Sequence, residues 1–141
     1  MKPFTNEPLS DFTQPHLRDQ MQRALATVKK ELGKTYPLII NGKEETSAKT
    51  FTSHNPAHTQ EVIGIFQVAN EAQTEAAIQA ACRAFETWKE VPADSRARYL
   101  FEMAALLRKQ KYEFAAWLTY EAGKNWREAD AEIAEAVDYL E

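Results

Sequence analysis

The chain has 141 residues, of which 44% are hydrophobic and 27% are charged, a balance that allows one globular unit with a core. Its formal net charge of -4 excludes nucleic acid as an expected partner, because phosphate binding needs a basic surface. The apolar runs are too short to predict a membrane span, and residues 1–12 lack the apolar stretch of a secretory signal. Cys82 is the single cysteine, which excludes an intrachain disulfide, and we expect a cytoplasmic protein.

Residues 1–34 are predicted to form an extended arm followed by a leading helix. The arm combines prolines with scattered aromatic residues. Pro15 suits the first turn of a helix, and Gly33 supplies a stop after it. Between them the apolar residues recur at helical spacing on one stripe, which consists of Leu17, Met21, Ala24, Leu25, Val28 and Leu32.

Residues 35–69 are predicted to form a β-hairpin region. Asn41-Gly42 follows a β-favouring stretch and is the strongest short signal for a hairpin turn. Asn55-Pro56 marks a second turn, because the residue before proline leaves the helical region. The predicted strands are residues 38–40, 49–53 and 61–69.

Residues 70–141 are predicted to be a run of helices. Asn70 and Gln73 form a capping-box pattern, Pro92 opens the next helix, and Gly123 ends a third. A last helix is predicted to begin near Asn125 or Trp126. The stripe expected to be buried in the first of these helices is Ala77, Ile78, Ala81, Cys82, Phe85 and Trp88, and the residues expected to face inward in the second are Ala97, Leu100, Phe101, Ala104 and Leu107. The apolar residues of the third are Phe114, Trp117 and Leu118, and the apolar stripe of the last is Ala129, Ile133, Ala136, Val137 and Leu140.

The last apolar stripe is still running at Leu140, and no stop signal follows before Glu141. We therefore expect the last helix to be truncated and the 141 residues to be a segment of a longer protein. Ile133, Val137 and Leu140 would then lack their partners, so we expect the segment to self-associate or to expose an apolar patch there. The three regions together predict an α+β fold that is mostly helical and contains a small β-hairpin region.

The usual chemistry-bearing residues are sparse. Cys82 lies on an apolar stripe, so we expect a small buried core residue and no nucleophile. The histidines His16, His54 and His58 have no further ligand at metal-binding spacing, so no metal site is predicted. The four glycines build no phosphate-binding loop, so no cofactor-binding residue is predicted within the 141 residues.

The last helix is rich in carboxylates, which are expected to form a solvated face. Glu128 and Asp130 lie in its first turns, where acids interact favourably with the helix dipole. Glu128, Glu132 and Glu135 are spaced four and three residues apart, so one or two of them could face a pocket in a larger protein.

The order of several short motifs resembles the start of the aldehyde dehydrogenase superfamily. In that family a hairpin with an Asn-Gly turn precedes an Asn-Pro turn, a strand, and a helix that ends in Ala-Phe and a tryptophan. An arginine and a leucine follow in the next helix, and Glu-x-Gly-Lys comes after it. The matching residues here are Asn41-Gly42, Asn55-Pro56, Ala84-Phe85, Trp88, Arg96, Leu100, Glu121 and Gly123-Lys124.

Two further stretches are similar to the 1-pyrroline-5-carboxylate dehydrogenase branch of the family, and with them the resemblance covers essentially the whole chain. They are the arm PFTNEPLSDF, with the helix and the YPL sequence that follow it, and the last stretch, EAGKNWREADAEIAEAVDYLE.

The resemblance implies an enzyme several times longer that uses NAD to oxidise glutamate semialdehyde, the open form of 1-pyrroline-5-carboxylate, to glutamate. In such an enzyme a cysteine thiolate attacks the aldehyde, hydride passes to NAD, and a glutamate activates water to release the acid. The resemblance places those residues and the nucleotide loop downstream, so we expect no catalytic residue within the 141 residues. It also implies a small-molecule substrate and a homo-oligomer.

Glu135 is the one site residue that the resemblance implies, because a glutamate of the matching helix approaches the amino-acid end of the substrate. A carboxylate there can pair with the substrate's ammonium group; the alternative is an ordinary solvated helix acid. Two alternatives to the proposed activity stay open. One is a different aldehyde substrate within the same superfamily, and the other is a short non-catalytic protein that binds a partner through the apolar stripe of its last helix.

Overall fold

The computed structural model describes residues 4–141 and contains five helices and five strands within them. They are α1 (Pro15–Lys29), β1 (Lys34–Tyr36), β2 (Leu38–Ile40), β3 (Lys43–Glu45), β4 (Thr50–Asn55), β5 (His58–Gln67), α2 (Glu71–Trp88), α3 (Ala93–Lys109), α4 (Lys111–Ala122) and α5 (Trp126–Leu140). The predicted α+β fold, mostly helical with a small β region, is confirmed. Residues 1–3 of the predicted arm lie outside the described residues.

The core lies where α1, α4 and α5 meet. Met21 and Val28 are fully buried members of the predicted α1 stripe, and they pack against small residues of the other two helices. Ala115 and Ala116 of α4 and Ala129 of α5 have no exposed surface. Small side chains at these positions let the helix backbones approach closely, so the core is compact despite the short helices.

Gly33 links this helical core to the sheet. The helix α1 itself ends at Lys29, and after a short turn Gly33 adopts a left-handed φ of 78°. Its N–H donates to the carbonyl oxygen of Ile63 at 3.0 Å, which sets β1 parallel to β5. The predicted stop is therefore a left-handed glycine that directs the chain onto the sheet.

The larger sheet has the strand order β1-β5-β4, with β4 and β5 antiparallel. Pro56 lies in the turn between these two strands, as the sequence predicted. The ring of Phe66 stacks on Tyr36 at 5.2 Å and on Phe51 at 5.4 Å between centroids. Gly64 lies beneath this stack, and a Cβ atom there would come within 2.9 Å of the Phe66 ring.

The predicted Asn-Gly hairpin is confirmed and forms a second, two-stranded sheet from β2 and β3. Asn41 and Gly42 both have positive φ, 51° and 72°, as the turn type favoured by Asn-Gly requires. The capping box of α2 is also confirmed, because Asn70 accepts from the Gln73 N–H and Gln73 accepts from the Asn70 N–H. The Gln73 side chain also donates to the Thr46 carbonyl, which ties the start of α2 to the hairpin.

The N-terminal arm is an ordered strap that lies against α3, α4 and α5. Asp138 accepts from the Asn6 amide and from the Glu7 N–H, both at 2.7 Å. Arg108 donates to Glu7 and to Glu141, each at 2.6 Å. The arm is therefore held by charge-assisted hydrogen bonds whose partners lie more than a hundred residues away in sequence.

The next part of the arm is held by a buried pair. Asp130 is only 1% exposed, and it accepts from the Ser10 N–H at 2.8 Å. Its second oxygen lies 3.1 Å from the Lys111 ammonium, which also donates to the Pro8 carbonyl at 2.9 Å. Phe12 then packs edge-on against aromatic rings of α4 and α5. A hydrogen bond to Asp130, a hydrogen bond from Lys111 and aromatic packing of Phe12 thus hold successive residues of the arm.

Two predicted burial patterns are wrong. The α2 stripe is not buried: Phe85 is 55% exposed, and no residue of α2 is buried. In α3 only Ala104 is buried, while Leu100 and Phe101 are exposed. The reason is that α2 packs mainly against the short strand β2, and α3 packs mainly against α5. Within residues 4–141 the other faces of these two helices are therefore not covered.

The last helix shows the opposite error. Ile133 and Val137 are buried, because α3 and α4 both pack against α5. Its apolar stripe is therefore an internal surface, although we expected it to lack partners. None of the helices within residues 4–141 combines the length and the apolar character that a membrane crossing requires.

Candidate functional site

The candidate residue Glu135 lies on α5, and the local sequence determines where this helix begins. Gly123 ends α4 with a left-handed φ of 67°, a conformation that glycine adopts without strain. Asn125 then caps α5, because its side-chain oxygen accepts from the N–H groups of Arg127 and Glu128, both at 3.1 Å. The predicted start near Asn125 or Trp126 is confirmed.

The helix has one buried and one exposed face. The buried face consists of Ala129, Asp130, Ile133, Ala134 and Val137. The opposite face consists of residues three or four apart, which are Glu128, Glu132, Glu135 and Tyr139. Glu135 therefore points away from the arm and from the helical core.

Glu135 keeps most of its hydrogen-bonding capacity. It is exposed, and one carboxylate oxygen accepts from the Tyr139 hydroxyl at 3.1 Å. This bond favours the neutral phenol, so it raises the pKa of Tyr139 above its usual value. By contrast, Glu132 forms an ion pair with Lys124. Within residues 4–141 Glu135 has no cationic partner, so its carboxylate can accept an ammonium group.

Cys82 lies on α2 and is exposed, so the expected buried position is wrong. Its neighbours on the same stripe, Ile78 and Phe85, are also more than half exposed. The apolar character of the stripe was interpreted correctly, but no described element covers it. Cys82 and Glu135 lie on different helices, α2 and α5.

The histidines stand in the sheet region and on α1. His54 pairs with Val62 and His58 with Asn55 in the β4–β5 ladder. Within the part of the chain that the structure describes, no three His, Cys, Asp or Glu side chains come together as a metal site. The buried polar residue of this turn is Asn55, which accepts from the Ala57 N–H at 2.9 Å and donates to Glu61 at 2.7 Å.

The glycines offer no cradle for a dinucleotide. Gly33, Gly42 and Gly123 form left-handed turns, and Gly64 lies within β5 beneath an aromatic ring. None of the four stands at the start of a helix, where a pyrophosphate would be bound by N–H groups and the helix dipole. The glycines of residues 4–141 therefore do not form a glycine-rich loop at a helix start.

The sequence interpretation missed the roles of Asp130 and Asp138. Asp130 was assigned to a solvated face and to the helix dipole, but it is buried and holds the arm. A signal was present, because Asp130 lies three residues before Ile133 and four before Ala134, on the apolar face. A carboxylate on that face needs a buried partner, and Lys111 supplies it.

The chain is similar to known proteins over its whole length. Residues 43–141 match the model of the aldehyde dehydrogenase family. The chain is 48% identical over 141 residues to 1-pyrroline-5-carboxylate dehydrogenase 1 of Halalkalibacterium halodurans. The alignment covers all of this chain and 27% of that protein. The chain is 46% identical over 139 residues to the 1-pyrroline-5-carboxylate dehydrogenase of Oceanobacillus iheyensis, again with 27% of the relative covered.

The structure agrees with these sequence matches. It superimposes on a crystal structure of 1-pyrroline-5-carboxylate dehydrogenase from Thermus with bound NAD with a TM-score of 0.95 and 44% identity, covering 99% of this chain and 27% of that one. The chain thus spans about a quarter of the length of the relatives that it matches. Since the family model covers more than half of the chain, and the motif order predicted the same family, the chain belongs to the aldehyde dehydrogenase family.

Proposed function

We propose that the chain is the N-terminal part of an NAD-dependent dehydrogenase that oxidises 1-pyrroline-5-carboxylate, as glutamate semialdehyde, to glutamate. The observation that carries the proposal is the match along the entire chain to 1-pyrroline-5-carboxylate dehydrogenases, at 48% identity in one relative. Agreement of the backbone with a relative solved with bound NAD supports NAD as the cofactor. The domain assignment follows: residues 1–141 are one N-terminal segment, with arm and leading helix, hairpin region and helical run.

The segment contributes structure and one substrate contact, while the nucleophile and the NAD-binding loop belong to the remainder of the enzyme. Cys82 lies on an apolar helix face, and no glycine stands at a helix start. We therefore propose that the 141 residues alone neither bind NAD nor oxidise an aldehyde. Isothermal titration with NAD and an assay for NADH formation test this, and micromolar binding or steady turnover would contradict it.

Glu135 is proposed to bind the ammonium group of glutamate semialdehyde. Its support is an exposed carboxylate on the outer face of α5 without a cationic partner among residues 4–141. An ion pair with a substrate ammonium is a charge-assisted hydrogen bond, which contributes about 1.5–3 kcal/mol. Loss of that bond corresponds to roughly a 10- to 150-fold decrease in kcat/KM.

The test uses the full-length enzyme and two aldehydes that differ in the amino group. Glu135→Gln should lower kcat/KM for glutamate semialdehyde by the stated factor and leave kcat/KM for an aldehyde without the amino group nearly unchanged. Glu132→Gln is the matched control, because it removes a carboxylate from the same face that is already paired with Lys124. Equal losses for both aldehydes would contradict the assignment, and preferred turnover of the simpler aldehyde would favour the alternative substrate.

The alternative of a short partner-binding protein is weakened by the burial of the α5 stripe on which it depended. We further propose that the full-length enzyme acts on a small molecule in the cytoplasm and forms a homo-oligomer. Light scattering of the full-length enzyme measures its oligomeric state directly.

A further inference from the structure

The exposed face of α5 carries a second polar group beside Glu135, the phenol of Tyr139. Its hydroxyl donates to a carboxylate oxygen of Glu135 at 3.1 Å, and the two residues are four apart, one turn along the same face. Tyr139 is 81% exposed, so its ring contributes little to the core. Within residues 4–141 the hydroxyl of this exposed side chain therefore serves to hold Glu135.

The bond to Tyr139 leaves the Glu135 carboxylate able to bind a cation. A carboxylate has about four acceptor positions on its two oxygens, and the Tyr139 hydroxyl occupies one of them. An ammonium group has only donors, which can use the positions that remain. The phenol therefore restrains the carboxylate without competing for all of it.

The restraint matters because a free glutamate side chain loses much conformational freedom when it binds a ligand. Glutamate is among the residues with the largest rotamer entropy, and ordering such a side chain at a binding site lowers affinity. Glu135 also lies three residues after Glu132, a like charge that repels it. Glu132 is paired with Lys124, which precedes α5, whereas Glu135 is bonded to Tyr139 near the end of the helix. The two acids are thus drawn in opposite directions along α5, and Glu135 is oriented before a substrate arrives.

We propose that Tyr139 is a positioning residue for recognition of the substrate's amino group, because its hydroxyl orients the Glu135 carboxylate toward the ammonium. The inference rests on the proposed function, which places that ammonium at Glu135. Since the phenol acts through Glu135, its effect falls on substrate binding and not on the chemical step. The alternative is a surface pair that only stabilises the helix, as pairs four residues apart do.

The test compares two aldehydes in the full-length enzyme. They are glutamate semialdehyde and glutarate semialdehyde, which has the same carbon chain and carboxylate but lacks the amino group. Tyr139→Phe removes the hydroxyl and keeps the ring. We expect KM for glutamate semialdehyde to rise roughly 2- to 10-fold, the cost of ordering one side chain, with kcat within about twofold. KM for glutarate semialdehyde should stay the same, because this aldehyde offers Glu135 no ammonium group.

A second variant tests whether a hydrogen-bond donor at position 139 is what matters. In α2 the amide of Gln79 donates to Glu75, four residues earlier, at 2.8 Å. Tyr139→Gln would place the same pair on α5, so its KM for glutamate semialdehyde should be lower than that of Tyr139→Phe. A role in packing predicts the reverse order, because phenylalanine matches tyrosine more closely in shape.

Two further variants test whether the effect passes through Glu135. Once Glu135→Ala has removed the carboxylate, Tyr139→Phe should cause no further rise in KM, because the phenol has nothing left to hold. Tyr112→Phe is the matched control, since the hydroxyl of Tyr112 lies 3.1 Å from the Ser10 hydroxyl of the arm. This control should change KM for neither aldehyde.

An unchanged KM for glutamate semialdehyde in Tyr139→Phe would overturn the proposal, and so would an equal rise for both aldehydes. A KM in Tyr139→Gln no lower than in Tyr139→Phe would overturn the donor role. A full effect of Tyr139→Phe in the Glu135→Ala enzyme would overturn it as well, because the phenol would then act without Glu135. An unaltered enzyme that does not prefer glutamate semialdehyde to glutarate semialdehyde refutes the proposed function, and this inference with it. If that preference exists and Tyr139→Phe leaves it unchanged, the inference alone is refuted.

Discussion

Replacement of Asp130 by alanine should lower the free energy of unfolding of the 141-residue chain by about 3 kcal/mol. The substitution removes the acceptor for the Ser10 N–H at 2.8 Å, and it leaves the Lys111 ammonium, only 11% exposed, without its 3.1 Å partner. Breaking a buried ion pair by removing one member typically costs 3–5 kcal/mol. The value expected here is at the lower end, because Lys111 keeps its hydrogen bond to the Pro8 carbonyl.

The assay is urea unfolding followed by tryptophan fluorescence, to which Trp126 contributes, and the ring centroid of Trp126 lies 5.7 Å from that of Phe12 in the arm. Glu135→Ala is the matched control on the same helix, and as an exposed substitution it should change the free energy of unfolding by no more than about 0.5 kcal/mol. In a double-mutant cycle with Lys111→Met, the combined loss should be smaller than the sum of the single losses by about 1–3 kcal/mol. A loss at Asp130 as small as the control's, or strict additivity with Lys111→Met, would refute the reasoning.

Three further outcomes are expected. First, hydrogen bonds from the Asn6 amide and the Glu7 N–H hold the pKa of Asp138 in the folded chain below its unfolded-state value of 3.8. The contribution of Asp138 to the free energy of unfolding should therefore be complete above pH 3.8 and be lost as the pH falls through the folded-state pKa. Urea unfolding between pH 6 and pH 2.5 measures this loss. Second, Gly64→Ala should destabilise the chain by roughly 1–3 kcal/mol in thermal unfolding, because its Cβ atom would meet the stacked ring of Phe66 at 2.9 Å. Third, Phe85→Ala should change the stability of the 141-residue chain by less than about 0.5 kcal/mol in urea unfolding, because the side chain is 55% exposed.

Each outcome has its own control. Asp138→Asn should remove the part of the acid-induced loss that occurs below pH 3.8, and an unchanged pH profile in that variant would contradict the role of Asp138. Gly42→Ala is the control for Gly64→Ala, because Gly42 lies in the turn of the two-stranded sheet and a Cβ atom there has no atom within 4 Å. Any loss of stability in Gly42→Ala therefore measures only the backbone strain at a φ of 72°. A loss of more than about 1 kcal/mol for Phe85→Ala would contradict the exposure of this side chain on α2.

Local signals in the sequence predicted local structure well. Asn41-Gly42, the capping box at Asn70, and Gly123 each fix backbone geometry within a few residues, and all three are confirmed. Helical spacing also predicted the helices that carry the apolar stripes. What spacing could not predict is which stripe finds a partner within residues 4–141, since that depends on tertiary contacts.

The errors follow from this limit. The stripe with Phe85 was expected to be buried and is exposed, and the stripe with Val137 was expected to lose partners and is covered by α3 and α4. Asp130 was missed because its partners, Ser10 and Lys111, are distant in sequence. For the candidate site, the family resemblance singled out Glu135, whereas the residues alone gave only a group of helix acids.

The attachment of the arm to α5 has a consequence for synthesis on the ribosome. Asp130, which accepts the Ser10 N–H, is made 120 residues after Ser10. At about 5–20 residues per second, the arm waits roughly 6 to 24 s for its binding site. During that interval its exposed carboxylates and amides keep it hydrated, and the arm can be fastened only when α5 emerges with Asp130 and Asp138.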